Sequence, residues 1–552
     1  MKRKSFNLLI AIAAIMVVAT SCQKGDLLSN PNAAGESSII SPGLLVNHVT
    51  YDIYNGGGVM DAQSGAVSES PWDQEFIWSQ YFVSNYPYYR GNNFYNWSRT
   101  ATAYDILKYA VKIEDQISKQ YPTTPSNKVV YSALAKFFRA YAFIWYTQRV
   151  GDIPMTEAGN PNNLTPKFDT QKQVYINSLN LLDSANTILG NLIATYPTGI
   201  GSVKGSAILD AGDIYGLTNL QWQKVINTYR LRVLISLSKR AGDNSDMNIK
   251  QQFATIINNP ATYPIMTGNA DNMVFKYNAS YNAYPIFLRG NNPYNNYANI
   301  CKTYLNLTTA TKDPRTFVAA TPAPAQLTAG KTVGDFTAYV GADINTDIST
   351  LFNTGSTAAT SQYSYANYLR YYSDKGGANC EPNIVIGYPE MCFNIAEAIN
   401  QGWVTGSSAT WYTNGINASL SIYGLTQGQA FTVADVAGKT LGTVTIDINT
   451  FLSNVAYAGD NATGLNQILT QKYIALFNNS GWEAFYNWRR TGVPTFSQGG
   501  AGIGTPANNN LIPRRWQYPL NEFDYNNTNC AAAIQSQYGG VDDLSKDMWL
   551  TK

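Results

Sequence analysis

The sequence predicts a mostly α-helical protein: a tetratricopeptide-like scaffold of helical pairs carrying an irregular, loop-rich lobe. Three observations carry that expectation. Long segments repeat apolar residues at three- and four-residue steps, the period of one helix face. These segments come in pairs a few tens of residues apart, as in stacked helical-pair proteins. Between residues 243 and 387 the rhythm is lost, and Asn, Tyr, Thr and Gly take over.

The segment from Val129 to Ala158, VVYSALAKFFRAYAFIWYTQRVGDIPMTEA, anchors the helical reading. Val130, Leu134, Phe137, Phe138, Tyr141, Ile144 and Trp145 share one broad face. Aromatic residues spill past that face, so the helix should be covered on more than one side. Gly151 stops it, Asp152 begins a turn, and Pro154 blocks a return to helix.

Upstream, residues 23–70 read as a tether and an irregular lead-in, with a loop at Gly56-Gly57-Gly58. The stretch from Trp72 to Trp97 is the densest in aromatic residues. Its second half cannot be regular, because Pro87 and Gly91-Asn92-Asn93 break it. Thr100–Gln120 reads as a helix with Tyr104, Leu107, Ala110, Val111 and Ile117 inward, forming a hairpin with the anchor helix. Val174–Ile193 and Asn219–Arg240 form the next pair.

Ala298–Leu307 reads as a short helix within the lobe, ending before Asp313-Pro314-Arg315. Pro389–Gln401 returns to helix, with Ala409–Tyr423 as its partner. Phe431–Phe451 is Thr/Val-rich and reads as a small hairpin. Leu465–Phe477 then leads into Gly481–Arg490. The expected organisation is a leader over residues 1–21 and one large domain over 22–552. Within it the scaffold takes 98–242 and 388–490, the lobe 243–387, and an aromatic N-terminal segment 72–97.

At 552 residues the chain exceeds a typical single core, in keeping with one lobed domain or two domains. Charged residues are only 13%, about half the usual ~25%, and 39 tyrosines with many Asn, Ser and Thr fill the gap. The net charge is +2 and no basic run follows the first residues, so nucleic-acid binding has no electrostatic footprint. The single histidine, His48, argues against histidine metal sites and against Ser-His-Asp or Cys-His machinery. It reads as a surface or packing residue. No EF-hand-like run occurs, and no cofactor or metal is expected.

Lys2-Arg3-Lys4 precedes an apolar run from Leu8 to Ala19, then Thr20-Ser21-Cys22. This is the pattern of a signal peptide. The run is too short for a ~20-residue membrane span. Ala19-Thr20-Ser21-Cys22 resembles a lipobox, which makes Cys22 the expected lipidation site; the alternative is an ordinary signal peptide with an incidental Cys. Cys301, Cys380, Cys392 and Cys530 fit no zinc spacing. Disulfides and free buried thiols both remain open.

An enzyme would need paired carboxylates. Glu390 and Glu397 share a helix face about 10 Å apart by helical rise. Flexible side chains bring that near the roughly 6.5–9.5 Å of inverting glycosidases. The helix is otherwise apolar, and Arg489 and Arg490 are natural partners, so structural ion pairs are the better reading. Glu483 reads as scaffold too.

Neutral glycans need flat rings against C–H faces and Asn, Gln, Arg or Asp on the hydroxyl rim. Three clusters supply them. Trp72, Trp78, Tyr81, Tyr86, Tyr88, Tyr89 and Trp97 form the first. Tyr281, Tyr284, Arg289, Tyr294 and Tyr297 form the second. The third is Tyr363, Tyr365, Tyr368, Tyr371 and Tyr372, of which Tyr368 is the chosen candidate. Core packing is the competing reading for every ring.

The wording of several blocks resembles a known family. RAYAFIWY followed by Gly151-Asp152-Ile153-Pro154 and Thr156-Glu157-Ala158 looks like the first block of SusD/RagB-type lipoproteins of Bacteroidetes. Gly212-Asp213-Ile214-Tyr215-Gly216 with Trp222 to Leu234 looks like the second. Asp313-Pro314-Arg315, YPEMCFNIAEAINQGW and LNQILTQKYIALFNNSGWEAFYNWRRTGVP follow in order. Ile512-Pro513-Arg514-Arg515-Trp516-Gln517-Tyr518-Pro519 with Glu522 resembles the closing block. The details look closest to the second SusD-like subfamily.

The resemblance implies a nutrient-binding, starch-utilisation-like outer-membrane lipoprotein and no enzymatic activity. Gln23-Lys24-Gly25-Asp26 partly resembles the signal that sends such lipoproteins to the cell surface. The implied role is to capture oligosaccharide and deliver it to a SusC-like TonB-dependent transporter. An oligopeptide ligand is the alternative within the family, and a surface glycoside hydrolase the alternative outside it.

Overall fold

The computed structural model describes residues 40–55, 74–87, 92–96, 99–100, 102–120, 129–160, 162–195, 215–277, 294–373 and 381–552. In chain order the principal helices are α1 (Pro42–Asn55), α2 (Tyr104–Gln120), α3 (Val130–Val150), α4 (Gln171–Thr195), α5 (Asn219–Ser236), α6 (Ile249–Asn258), α7 (Lys302–Ala310), α8 (Ile348–Gly355), α9 (Tyr388–Asn400), α10 (Ser408–Ile422), α11 (Ala462–Ala475) and α12 (Glu483–Thr491).

Helix α3 is buried along nearly its whole length, as its excess of aromatic residues predicts. It packs against α2 on one side and α4 on the other. Gly151 ends it at φ +95°, with its N–H donating to Thr147 O at 2.9 Å. The Asp152 carboxylate then accepts from Gln171 N at 2.7 Å, tying the turn to the first residue of α4. Helix α5 starts with a capping box between Thr218 and Gln221. It packs back on α4 through Asn186, which accepts from Gln223 and Asn227 at 3.0 and 2.9 Å. The third pair, α9 and α10, docks on this stack through α9 against α5. Helix α11 covers both members of that pair. The tetratricopeptide-like succession of helical pairs is therefore present.

Helices α1, α6 and α8 depart from the sequence expectation, and Ala298–Ile300, expected as the start of a helix, forms a strand. Residues 42–55, expected as irregular lead-in, form α1, which packs on α2. Its buried Leu45, Val46, Val49 and Ile53 keep the helical period, but polar neighbours dilute it. His48 lies on this helix against the Tyr109 ring, centroids 3.9 Å apart. In the lobe, Ile249, Phe253 and Ile256 bury one face of α6 against α5.

The lobe is held by short strands and one buried ion pair. Strand β1 (Phe82–Ser84) pairs antiparallel with β3 (Ala298–Ile300), and β2 (Met273–Phe275) with β4 (Asn383–Ile386). The hairpin expected after residue 430 is β5 (Ala430–Ala434) with β6 (Thr440–Thr445). Asp313 and Arg315 are fully buried and paired at 2.6 Å. Arg315 also donates to Ser419 on α10 at 3.0 Å and to Gln471 on α11 at 2.5 Å. One guanidinium thus fastens lobe to scaffold.

The C-terminal segment closes the end of α3. Trp516 N donates to Arg149 O, and the hydroxyls of Tyr518 and Tyr538 donate to Asp152 O and Val150 O. The Arg149 guanidinium lies between the rings of Trp145 and Trp516, 3.6 and 4.8 Å from their centroids. Cys301, Cys392 and Cys530 are buried free thiols, and burial pushes each up to about 12. Cys380 and Cys22 lie outside the described residues.

Candidate ligand-binding surface

The pairing of β1 with β3 sets the geometry of an aromatic cluster. Ser84 opposes Ala298, so the next residues of the two strands leave the sheet side by side. Asn85 N donates to Tyr297 O at 3.1 Å, and the Asn85 amide reaches Asn296 O, Asn299 Oδ1 and Gly355 O at 3.1, 2.8 and 2.9 Å. Tyr365 OH donates to the same Gly355 carbonyl at 2.6 Å. Helix α8, capped by Asp347 on Thr350 N, is thereby pinned beside the sheet.

These bonds assemble three rings. Tyr86 stacks on Tyr297 with centroids 4.4 Å apart and planes at 26°. Phe352 of α8 sits 5.5 Å from Tyr86 and is 39% exposed, unusual for a ring of its size. Tyr86 and Tyr297 are half-buried. The result is a partly open aromatic surface on a frame of neutral amides and hydroxyls. Phe352 was not foreseen, because nothing in its local pattern distinguishes an exposed ring from a packed one.

The other candidates fall elsewhere. Trp78 and Tyr81 are corrected from ligand platform to core. Trp78 is buried, donates its indole N–H to Phe94 O at 3.0 Å and packs on Trp482. Tyr81 is fully buried, stacked on Tyr473 at 4.7 Å, and its hydroxyl donates to Tyr473 O. Trp78 ends the helical turn Gln74–Trp78, and Tyr81 lies in the bend just before β1. Tyr365, Tyr371 and Tyr372 are likewise buried. Tyr368 is half-buried beside Gly438 in the β5–β6 turn, apart from the triad. Trp72, Tyr88, Tyr89, Trp97, Tyr281, Tyr284 and Arg289 lie outside the described residues, as does the side chain of Tyr294.

The carboxylates considered for catalysis are engaged. Glu390 pairs with Arg232 on α5, Nε to Oε1 2.8 Å, and Glu397 pairs bidentately with Arg490. Glu483 lies 4.0 Å from Arg232. Burial pushes Lys472, packed among these groups, down to about 8. The void beside this cluster is about 20 Å³, room for one water and no sugar. Arg489, expected as an acid's partner, instead donates to the Arg514 and Gln148 carbonyls, and burial pushes it down to about 10. Arg232 fills the expected role. It was hidden by its place in an apolar helix. Among the described residues no group of three or more His, Cys, Asp or Glu side chains is placed to hold a metal ion.

A stack of helical pairs with an irregular lobe fastened to it is the architecture of SusD homologues. Residues 34–519 match the model of the second SusD-like family, described as starch-binding and associating with the outer membrane, and the chain belongs to that family. Two SusD homologues from Bacteroides fragilis are each 27% identical to it, with TM-scores of 0.75 and 0.70; this chain is covered to 93% in both, and they are covered to 100% and 99%. A chitin-binding SusD homologue from Flavobacterium johnsoniae shares the fold at 18% identity and a TM-score of 0.61, over 92% of this chain and 98% of that one. No curated protein matches the chain. Among the described residues no helix is long and apolar enough to cross a membrane.

Proposed function

We propose that the protein is a cell-surface lipoprotein that captures oligosaccharide and hands it to a SusC-like TonB-dependent transporter. The observation that carries the capture step is the half-open triad of Tyr86, Tyr297 and Phe352 on a frame of amides and hydroxyls. Such rings suit the C–H face of a neutral sugar, and the surrounding amides suit its hydroxyls. Family membership supports the glycan class and the outer membrane. The lipid anchor at Cys22 and delivery to the transporter rest on the sequence pattern and the family resemblance.

A hydrolytic role is disfavoured by the same geometry. Glu390 and Glu397 are each held by an arginine, and the void that these arginines line is too small for substrate.

The test is affinity electrophoresis of the lipid-free chain through gels carrying a panel of neutral polysaccharides, with products checked for cleavage. Retardation by a glycan without cleavage is expected. The Tyr86→Ala/Phe352→Ala pair should weaken it about tenfold, the scale of one or two lost ring contacts. Binding only to peptides, or cleavage lost on Glu390→Gln, would overturn the reading.

A further inference from the structure

A second cavity, about 440 Å³, opens in the lobe between the β5–β6 hairpin and the turn at residues 331–338. It shares no lining residue with the triad. Its volume falls within the ~300–1,000 Å³ of ligand clefts.

The cavity is built on rigid parts. Asp335 accepts from Thr332 N and Oγ1 at 2.8 and 2.9 Å, and Lys331 Nζ donates to Thr337 O at 2.9 Å. Tyr339 OH closes the turn onto Val333 O at 2.9 Å. The hairpin lies directly against this turn, since a Cβ on Gly442 would stand 3.0 Å from Val333. The opposite wall, Lys312 to Phe317, is fixed by the buried Asp313–Arg315 pair.

The chemistry of the lining is that of a sugar site. Phe336 is half-buried, its ring 4.9 Å from buried Phe317 and tilted 38° to it. It therefore keeps part of its surface open within the cavity. Around it stand Thr443 and Thr445, exposed residues whose hydroxyls can donate and accept, and Thr332, whose hydroxyl donates to Asp335 and can still accept. The charges nearest the rim, Lys312 and Asp447, are opposite in sign. Asp447 is occupied as the cap of Thr450 N at 3.0 Å. An apolar ring at the base and hydroxyls at the rim, with no net charge, do not suit an ionic ligand.

We propose that this cavity is a second carbohydrate subsite, taking a short segment of neutral oligosaccharide with one ring face on Phe336. The ligand class rests on the glycan reading given above; the site itself does not depend on the triad.

The experiment is calorimetric titration of the lipid-free chain with malto- and chito-oligosaccharides, and affinity electrophoresis with the parent polysaccharides. Four proteins are compared: the natural chain, Tyr86→Ala/Phe352→Ala, Phe336→Ala, and all three substitutions together. Thermal unfolding of each checks that the fold persists. The triad variant should retain weaker binding, and adding Phe336→Ala should lower what remains by at least about tenfold. Phe336→Trp, which keeps a ring, should restore it. If the natural chain binds and Phe336→Ala changes nothing in either background, the subsite is refuted while glycan capture stands. If the triad variant binds nothing although the natural chain binds, the subsite is again refuted. If the natural chain binds no glycan, both readings fall together.

Discussion

Removing the Arg315 guanidinium should loosen the lobe more than any surface change. The group is fully buried and bonds Asp313, Ser419 and Gln471 at once. In Arg315→Met, the buried Asp313 carboxylate keeps the Arg315 backbone N–H, at 2.9 Å, but loses its cation. Breaking a buried pair from one side costs about 3–5 kcal/mol, because a charge is left uncompensated. Asp313→Asn combined with Arg315→Met removes that charge and should recover half or more of the loss. Urea unfolding of the four proteins of this cycle at pH 7 measures the coupling, and limited proteolysis reports whether cleavage concentrates in residues 243–387. A loss below about 1 kcal/mol, the scale of an exposed pair, or strict additivity in the double variant, would refute the staple.

Other outcomes follow from the same structure. Glu390→Gln should leave any glycan binding intact and cost about 3 kcal/mol in unfolding free energy, since Arg232 loses its buried partner. Gly151→Ala should destabilise by about 1–3 kcal/mol: φ is +95°, and the new methyl would lie 2.0 Å from Gln537 Oε1, read by the shift of the thermal midpoint. Burial raises the Asp152 carboxyl from 3.8 to about 6. A raised carboxylate binds its proton more readily in the folded state, so its contribution is greatest below the unfolded value and is lost as pH rises from about 4 to 6. Asp152→Asn should flatten the stability–pH curve by up to about 3 kcal/mol over that window in parallel denaturant titrations.

The scaffold was legible because its helices are long and their period is strong. Val130 to Trp145 announce α3 without help, and GWEAFYNWRR announces α12 through its letters. What escaped was short or diluted. Helix α6 spans only ten residues and buries only Ile249, Phe253 and Ile256, and α1 mixes its apolar period with Asn47, His48 and Thr50. The site was legible as composition and not as position. Aromatic density drew attention equally to Tyr81, which is core, and Tyr86, which is half-open, although they are five residues apart. What separates them is the end of β1, and that end is set by pairing with a strand more than two hundred residues away, which no local window contains. The same holds for Arg232, whose acid lies 158 residues along the chain.

The closure of the C-terminal segment on α3 also sets a clock. The backbone carbonyls of Asp152, Val150 and Arg149 accept from Tyr518, Tyr538 and Trp516, and the first two contacts span 366 and 388 residues. Until those last residues are synthesised, the end of the anchor helix keeps open carbonyls, and Trp516 is missing from beside its arginine. Contacts of such separation make folding slow. A chain that stops short of Ile512 therefore leaves the end of α3 without these partners, although both helices of its hairpin are present.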